Sequence, residues 1–197
     1  MSRRNDILAK AMRCIDEIYP ASDEVNTEFF PADHFADEAA RWIIKSVPLH
    51  ALGPGTSITD SVKPDDGVGT IDLPADFIRL ISFKAADWAR SVTSPVYDTD
   101  AVYAQQANRH LRGSAFRPVV ALCKGESVLE FYTVPEYVEN EDYELRYMSF
   151  TTLGDDYPAR LDDITAWKIA ELVLSSMAST EFASICTGKI TELMAAL

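Results

Sequence analysis

Cysteine is scarce: Cys14, Cys123 and Cys186 are far apart, odd in number and in no CxxC spacing. That set excludes a disulfide framework and a zinc cage, and the three read as reduced packing residues. Long hydrophobic runs are missing too. The longest apolar stretches, such as Ile169 to Leu174, are broken by charges such as Glu171, far short of the roughly 20 residues that cross a bilayer. No membrane span is expected. The first residues, Met1-Ser2-Arg3-Arg4-Asn5-Asp6, run into an amphipathic pattern with Lys10, Arg13, Asp16 and Glu17 and no uninterrupted apolar core, so no signal peptide is expected. Positive charge is also in deficit: 18 Lys and Arg stand against 31 Asp and Glu, a net charge of −13. A protein that reads a nucleic-acid groove needs a basic footprint to displace counterions from phosphate, so that class is disfavoured. Acidity fits solubility, or a surface that nucleic acid slides past.

Catalytic signatures are equally absent. Gly53-Pro54-Gly55-Thr56-Ser57 has no lysine to reach phosphates and lacks the GxxxxGK[ST] spacing, so it reads as a loop. There is no GxGxxG and no GxSxG elbow. His34 and Glu38 stand four apart on one helix face, but a metal needs a third ligand, and a solvated surface pair is the stronger reading. His50 and His110 sit in no motif. Carboxylate pairs such as Asp65-Asp66 and Asp162-Asp163 are expected by chance among so many acids and read as loop or helix-start residues. No catalytic residue, metal or cofactor is expected.

What is present is ample core: 47% of the 197 residues are hydrophobic, enough for one domain over 1–197 without staples. Ile7, Leu8, Ala11, Ile15 and Ile18 recur at helical spacing and predict a first helix from Arg3 to Ile18, ending before Pro20. A second opens at Pro31, with Asp33 near its positive end and Phe35, Ala39, Trp42, Ile43 and Val47 along one stripe, and stops at Pro48. The glycines and prolines between Leu52 and Gly69 mark a loop with little structure of its own.

Beyond that loop the period changes to two. Thr70–Leu73, Ile78–Phe83, Pro118–Cys123, Ser127–Thr133 and Tyr143–Met148 read as strands, with Lys124-Gly125-Glu126 as a hairpin tip. Tyr143, Leu145 and Tyr147 face one way, with Glu144 and Arg146 opposite, so one face is buried and one wet. Asp100 to Leu111 reads as a helix capped by Thr99 or Asp100. The final segment returns to helix from Pro158 through Met177. It is apolar almost all round except for Lys168, Glu171 and Ser175, so it is either central in the fold or shared between subunits. A weaker helix follows from Thr180 to Leu197, with Gly188 as a possible break. The order predicts an α+β fold: a helical body of residues 1–50 and 156–197, with an antiparallel β module inserted at about 68–152.

Arg109, Arg112, Phe116 and Arg117 form a local basic and aromatic stretch. A single-strand binder combines such residues, but the surrounding acidity favours contact with a neighbouring subunit or an acidic partner. With Arg79, Trp88 and Arg90 of the same module, Arg112, Phe116 and Arg117 make the expected interface set.

Leu73-Pro74-Ala75-Asp76-Phe77-Ile78-Arg79-Leu80 resembles the L-P-x-D-F-x-R-L entry to the β module in head-to-tail adaptor (connector) and tail-tubular proteins of tailed bacteriophages. The later order of elements is similar too, through Pro118 to Leu122, Leu129 to Tyr132, Tyr143 to Met148 and the closing helix. The resemblance implies a non-enzymatic subunit of a homo-oligomeric ring, a dodecamer in the family. Such a ring sits in the virion neck beneath the portal protein, touches tail or neck proteins, and surrounds DNA that passes without specific binding. Short-tailed and crAss-like phages are the nearest flavour, with assembly in the host bacterial cytoplasm and no membrane partner. Two other readings stand beside it: an acidic, non-catalytic interaction module of a bacterium, and an enzyme of unrecognised type resting on His34, Glu38 and the cysteines.

Overall fold

Ile7, Ala11 and Ile15 recur every four residues and form the buried stripe of the first helix. A computed structural model describes residues 2–18, 32–132 and 140–197. In chain order its elements are α1 (Arg3–Ile18), α2 (Ala32–Ser46), β1 (Thr56–Val62), β2 (Val68–Asp72), β3 (Phe77–Ala85), β4 (Val96–Tyr97), α3 (Ala101–Gln105), β5 (Val120–Cys123), β6 (Val128–Tyr132), β7 (Glu141–Ser149), α4 (Asp162–Ser176) and α5 (Thr180–Ala195). The fold is α+β, with an N-terminal helix pair and C-terminal helices. Two compact units divide it: Met1–Gly53 with Phe150–Leu197, and Pro54–Ser149. Pro20, Pro31 and Thr133, where the sequence predicts element ends, lie outside the described residues.

In the helical unit, α4 is the hub. Ile164, Ala166, Ile169, Ala170, Val173 and Leu174 are buried, and α1, α2 and α5 all pack on it. Few polar positions interrupt its sequence because it has neighbours on several sides. Ion pairs set the register of α1 on α4: Arg3 reaches Asp162 at 2.9 Å and Lys10 reaches Asp163 at 2.6 Å. The stripe predicted for α2 holds at Ala39, Ile43 and Val47, all fully buried, and is corrected at Phe35 and Trp42. Its buried residues are Ala32, Ala36, Ala39, Ala40, Ile43 and Ile44, while Phe35 is half-buried and Trp42 is 41% exposed. Four alanines bring the backbone close to α4, so the large rings turn outward, where the Lys168 ammonium sits 4.2 Å from the Trp42 ring centroid. Helix α5 runs through Gly188 without a break.

The second unit is a sandwich of two sheets, ordered β1-β7-β3 and β2-β6-β5-β4. Alternation along each strand sends Leu80, Phe83, Leu145, Tyr147, Val120, Leu122, Leu129 and Phe131 into one shared core. Phe83 and Phe131, both fully buried with centroids 4.9 Å apart, form its centre. Full burial of each such side chain stabilises by roughly 1.5–3 kcal/mol.

The L-P-x-D-F segment is the corner where the chain changes sheet, leaving β2 of one and entering β3 of the other. Its turn is closed by the Phe77 N–H donating to the Pro74 carbonyl at 2.9 Å, and Phe77 stacks on Tyr147 with centroids 5.6 Å apart.

Several expectations for this unit need correction. The segment 52–69 is not an unstructured loop: β1 occupies 56–62 and pairs antiparallel with β7 from Thr56↔Tyr147 to Val62↔Glu141. It escapes a burial-pattern reading because only Ile58 and Val62 are even half-covered. Gly55 immediately precedes this strand at a φ of +67°, where an added β-carbon would collide with the Tyr147 carbonyl. The sheets are not purely antiparallel, since β4 lies parallel to β5. The hairpin β5–β6 is buried on both faces, because Tyr103, Val96 and Val119 cover its outer side. Helix α3 spans five residues, not the predicted 100–111. Side chains there compete with helical backbone bonds: Asn108 accepts the His110 N–H, and Gln106 accepts the Gly113 N–H. Asp100 makes no side-chain cap and accepts the Tyr97 N–H at 2.8 Å.

Candidate functional site

The predicted basic and aromatic stretch forms a displayed turn. Ser114 and Arg117 exchange two backbone hydrogen bonds of 3.0 Å, closing a loop whose tip is Ala115-Phe116. Ala115 packs against the sandwich core, whereas Phe116 is 88% exposed. The base of the turn is tied down. Gln106 accepts the Gly113 N–H at 2.8 Å, and Arg112 donates from Nε to the Gln106 carbonyl at 2.9 Å. Arg112 also donates to the Asp66 carbonyl and lies 3.7 Å from its carboxylate, while Arg109 pairs with Asp66 at 3.2 Å. A phenyl ring held in water on an ordered pedestal is prearranged for contact, since little freedom is left to lose on docking.

The interface set therefore splits. Phe116, Arg117 and Arg90 are exposed, and neither Arg90 nor Arg117 forms an ion pair among the described residues. Arg112 is corrected: its side chain is only 14% exposed and acts as an internal clamp. Trp88 is corrected as well. It is 2% exposed, edge-on to Phe83 and Phe131, because the core needs a large ring at the end of β3. Arg79 is half-buried on β3, and burial lowers its pKa, partly offset by Tyr97.

A second surface feature was not legible in the sequence. On the β1-β7-β3 sheet lies a shallow depression of about 230 Å³ among Thr59, Lys84, Ala86, Asp142 and Glu144, where the neighbouring Ala85 and Tyr143 turn their side chains into the sandwich core. Glu144 is held by Arg146 at 2.7 Å and stands opposite Lys84 in the strand register. Asp142 has no ion pair among the described residues. Only the pairing Ala85↔Tyr143 brings these residues together, and one-dimensional spacing carries no signal of it.

Beside that depression, Glu141 is a buried carboxylate, 4% exposed, accepting the Asp87 N–H at 3.2 Å. Burial, and then the nearby Asp87 carboxylate, raise its pKa against that hydrogen bond. On the outer side of the other sheet, Tyr103 and Tyr132 both donate to Glu130 at 3.1 Å. This triad fastens α3 to β6.

The remaining candidates are scattered. His34 and Glu38 are exposed on α2, and no group of three metal-ligating side chains occurs among the described residues. His50 Nε2 lies 3.0 Å from the Leu197 carbonyl. All three cysteines are free thiols; burial pushes Cys14 up to about 11 and Cys186 up to about 12, and raises Cys123. Such thiols stay protonated at neutral pH and are poor nucleophiles. Asp162 and Asp163 serve the first turn of α4 and its ion pairs with α1. No protein-family model matches the sequence, and no curated protein matches it.

Proposed function

We propose that this chain is a structural subunit that works through contact surfaces. More specifically, it is a head-to-tail adaptor of a tailed bacteriophage, joining a ring beneath the portal through which DNA passes. The observation that carries this reading is the insertion of a complete β-sandwich between the two halves of a helical unit, with the L-P-x-D-F-x-R-L segment forming the corner between its sheets. The net charge of −13 supports a lumen that repels phosphate and lets DNA slide.

Cryo-electron imaging of assembled virions tests the proposal. The expected result is density for this chain in the neck, between portal and tail. Density elsewhere in the particle, or absence from purified particles, rejects it. The acidic bacterial interaction module is the second reading, favoured by the solvent-exposed ring of Phe116; it predicts a stable complex with a cellular protein and no neck density.

A further inference from the structure

We infer that strand β1 of one chain pairs edge to edge with β1 of a second copy, antiparallel about a two-fold axis at Thr59. The pairing joins two three-stranded sheets into one. It goes beyond the adaptor reading and does not depend on it.

The direction of the β1 backbone is the first support. In an antiparallel ladder, successive residues turn their N–H and C=O groups alternately to one neighbour and the other. The Asp142 carbonyl of β7 accepts the Ala86 N–H at 2.8 Å, so Asp142 faces β3, and the alternate residues Glu141, Tyr143, Leu145 and Tyr147 face β1. Their partners there are Val62, Asp60, Ile58 and Thr56. Ser57, Thr59 and Ser61 therefore point their backbone groups away from the sheet. The Ser61 N–H agrees, since it donates to the carboxylate of its neighbour Asp60 at 2.8 Å. All three residues are exposed, and their backbone groups make no bond beyond the sheet to another backbone group among the described residues.

Sheet edges are normally blunted by proline, lysine, a bulge or brevity. The opposite edge, β3, has two register shifts and is closed at Phe83, which exchanges both backbone bonds with Val92 at 2.8 Å. In the other sheet the edge strands β2 and β4 have five and two residues. Strand β1 runs for seven residues in unbroken register, with neither proline nor lysine.

A second β1 is the complement that this edge fits. Pairing about Thr59 overlaps all seven residues; it sets Ser57 against Ser61 and Thr59 against its own copy, each pair exchanging both backbone bonds. Hydroxyl then meets hydroxyl along the outer face, a favourable cross-strand match. On the inner face Ile58 and Val62, which pack against the sandwich core, stand opposite Asp60 and Thr56. No like charges are directly opposed. A slip of two residues one way sets Asp60 against Asp60, and the other way draws Gly55, held at a φ of +67°, into the ladder. The two Asp60 carboxylates lie diagonally across the axis, so the contact works against their repulsion and strengthens with salt. An isologous contact of this kind stops at two chains.

Sedimentation velocity of the full chain over a concentration series is the test, and the wild type is expected to pass from monomer to dimer. Thr59→Pro removes an outward N–H and leaves the β7 ladder whole, at a position where an edge strand accepts proline. It is expected to weaken the dimer at least about tenfold. Thr59→Lys and Thr59→Glu each set like charges on the axis, and each is expected to be monomeric. Their equimolar mixture is expected to form a 1:1 dimer, which also shows that both variants are folded. Asp60→Asn is expected to strengthen the wild-type dimer at least about twofold.

A wild-type chain that stays monomeric up to about 1 mM, a dimer unchanged by Thr59→Pro, or a Lys and Glu mixture that stays monomeric overturns the pairing. Neck density from a chain that fails these tests overturns the pairing alone and leaves the adaptor reading standing. A Thr59-dependent dimer from a chain absent from virions overturns the adaptor reading and leaves the pairing.

Discussion

Asp37 on α2 accepts the backbone N–H of Leu153 at 2.7 Å with the same oxygen that binds Arg4 of α1 at 2.8 Å. One carboxylate thus pins three segments that are distant in sequence. Burial by itself would raise its pKa, but the Leu153 N–H and the Arg4 guanidinium outweigh burial and hold it below the ordinary aspartate value. Asp37→Ala is expected to cost about 1–2 kcal/mol in urea denaturation at pH 7, after allowance for partial solvent exposure. Because the folded pKa is lowered, this stabilisation is complete above the ordinary value of 3.8 and fades as pH falls through the folded one. The wild-type and Asp37→Ala curves should converge in acid.

Glu141 has the opposite sign. Its raised folded pKa means that the folded state binds a proton more tightly than the unfolded chain. Its contribution therefore weakens as pH rises from the ordinary glutamate value of 4.5 through the raised one. Glu141→Gln keeps an acceptor for the Asp87 N–H without the charge, so it is expected to raise stability at pH 7 and flatten the pH dependence. Denaturation midpoints from pH 4 to 8 check it; an unchanged slope would show that the carboxylate is solvated.

The turn after α4 places Ala178 at a φ of +57°, with the Ser179 N–H donating to Leu174 and the Ala178 N–H to Ser175 at 3.0 Å each. This bonding pattern is a Schellman helix end, whose left-handed position suits glycine. Ala178→Gly is expected to relieve strain and raise stability by about 0.5–1 kcal/mol, once the greater freedom of the unfolded chain is subtracted. A shift of the thermal midpoint upward by a few degrees is the measurable sign.

Gly69 stands opposite Phe131 in the β2–β6 ladder, and a β-carbon there would collide with the Phe131 ring. Gly69→Ala is expected to cost about 1–3 kcal/mol through overpacking. In a double-mutant cycle with Phe131→Leu, the combined loss should fall short of the sum of the two single losses, because the smaller side chain makes room.

Much of the helical unit was legible in the sequence. The three-to-four spacing of Ile7, Ala11 and Ile15 located α1, and the nearly continuous apolar character of α4 announced a helix with partners on several sides. Strands β3 and β7 were legible for a similar reason, since alternation of a buried face leaves a period of two, whereas β5 and β6, buried on both faces, were legible as short apolar runs on either side of the Lys124-Gly125-Glu126 tip. Strand β1 was hidden because only Ile58 and Val62 of this edge strand are half-covered, four residues apart, which leaves no two-residue alternation; it exists through its pairing with β7. Helix α3 was overestimated because helix propensity takes no account of the Gln106 and Asn108 side chains capturing backbone groups.

The interface residues divide along the same line. Composition alone marked Phe116, Arg117, Arg112 and Trp88 as candidates for contact, because aromatic and arginine side chains suit interfaces. Only the folded chain separates Phe116 and Arg117, which face water, from Arg112, bound to Gln106 and Asp66, and Trp88, enclosed by Phe83 and Phe131. By itself the sequence determined the α+β class and most element positions, since these follow from local periodicity. The tertiary structure decided which rings are core and which are displayed, and it assembled the depression over Tyr143, because those depend on strand register between residues more than fifty positions apart.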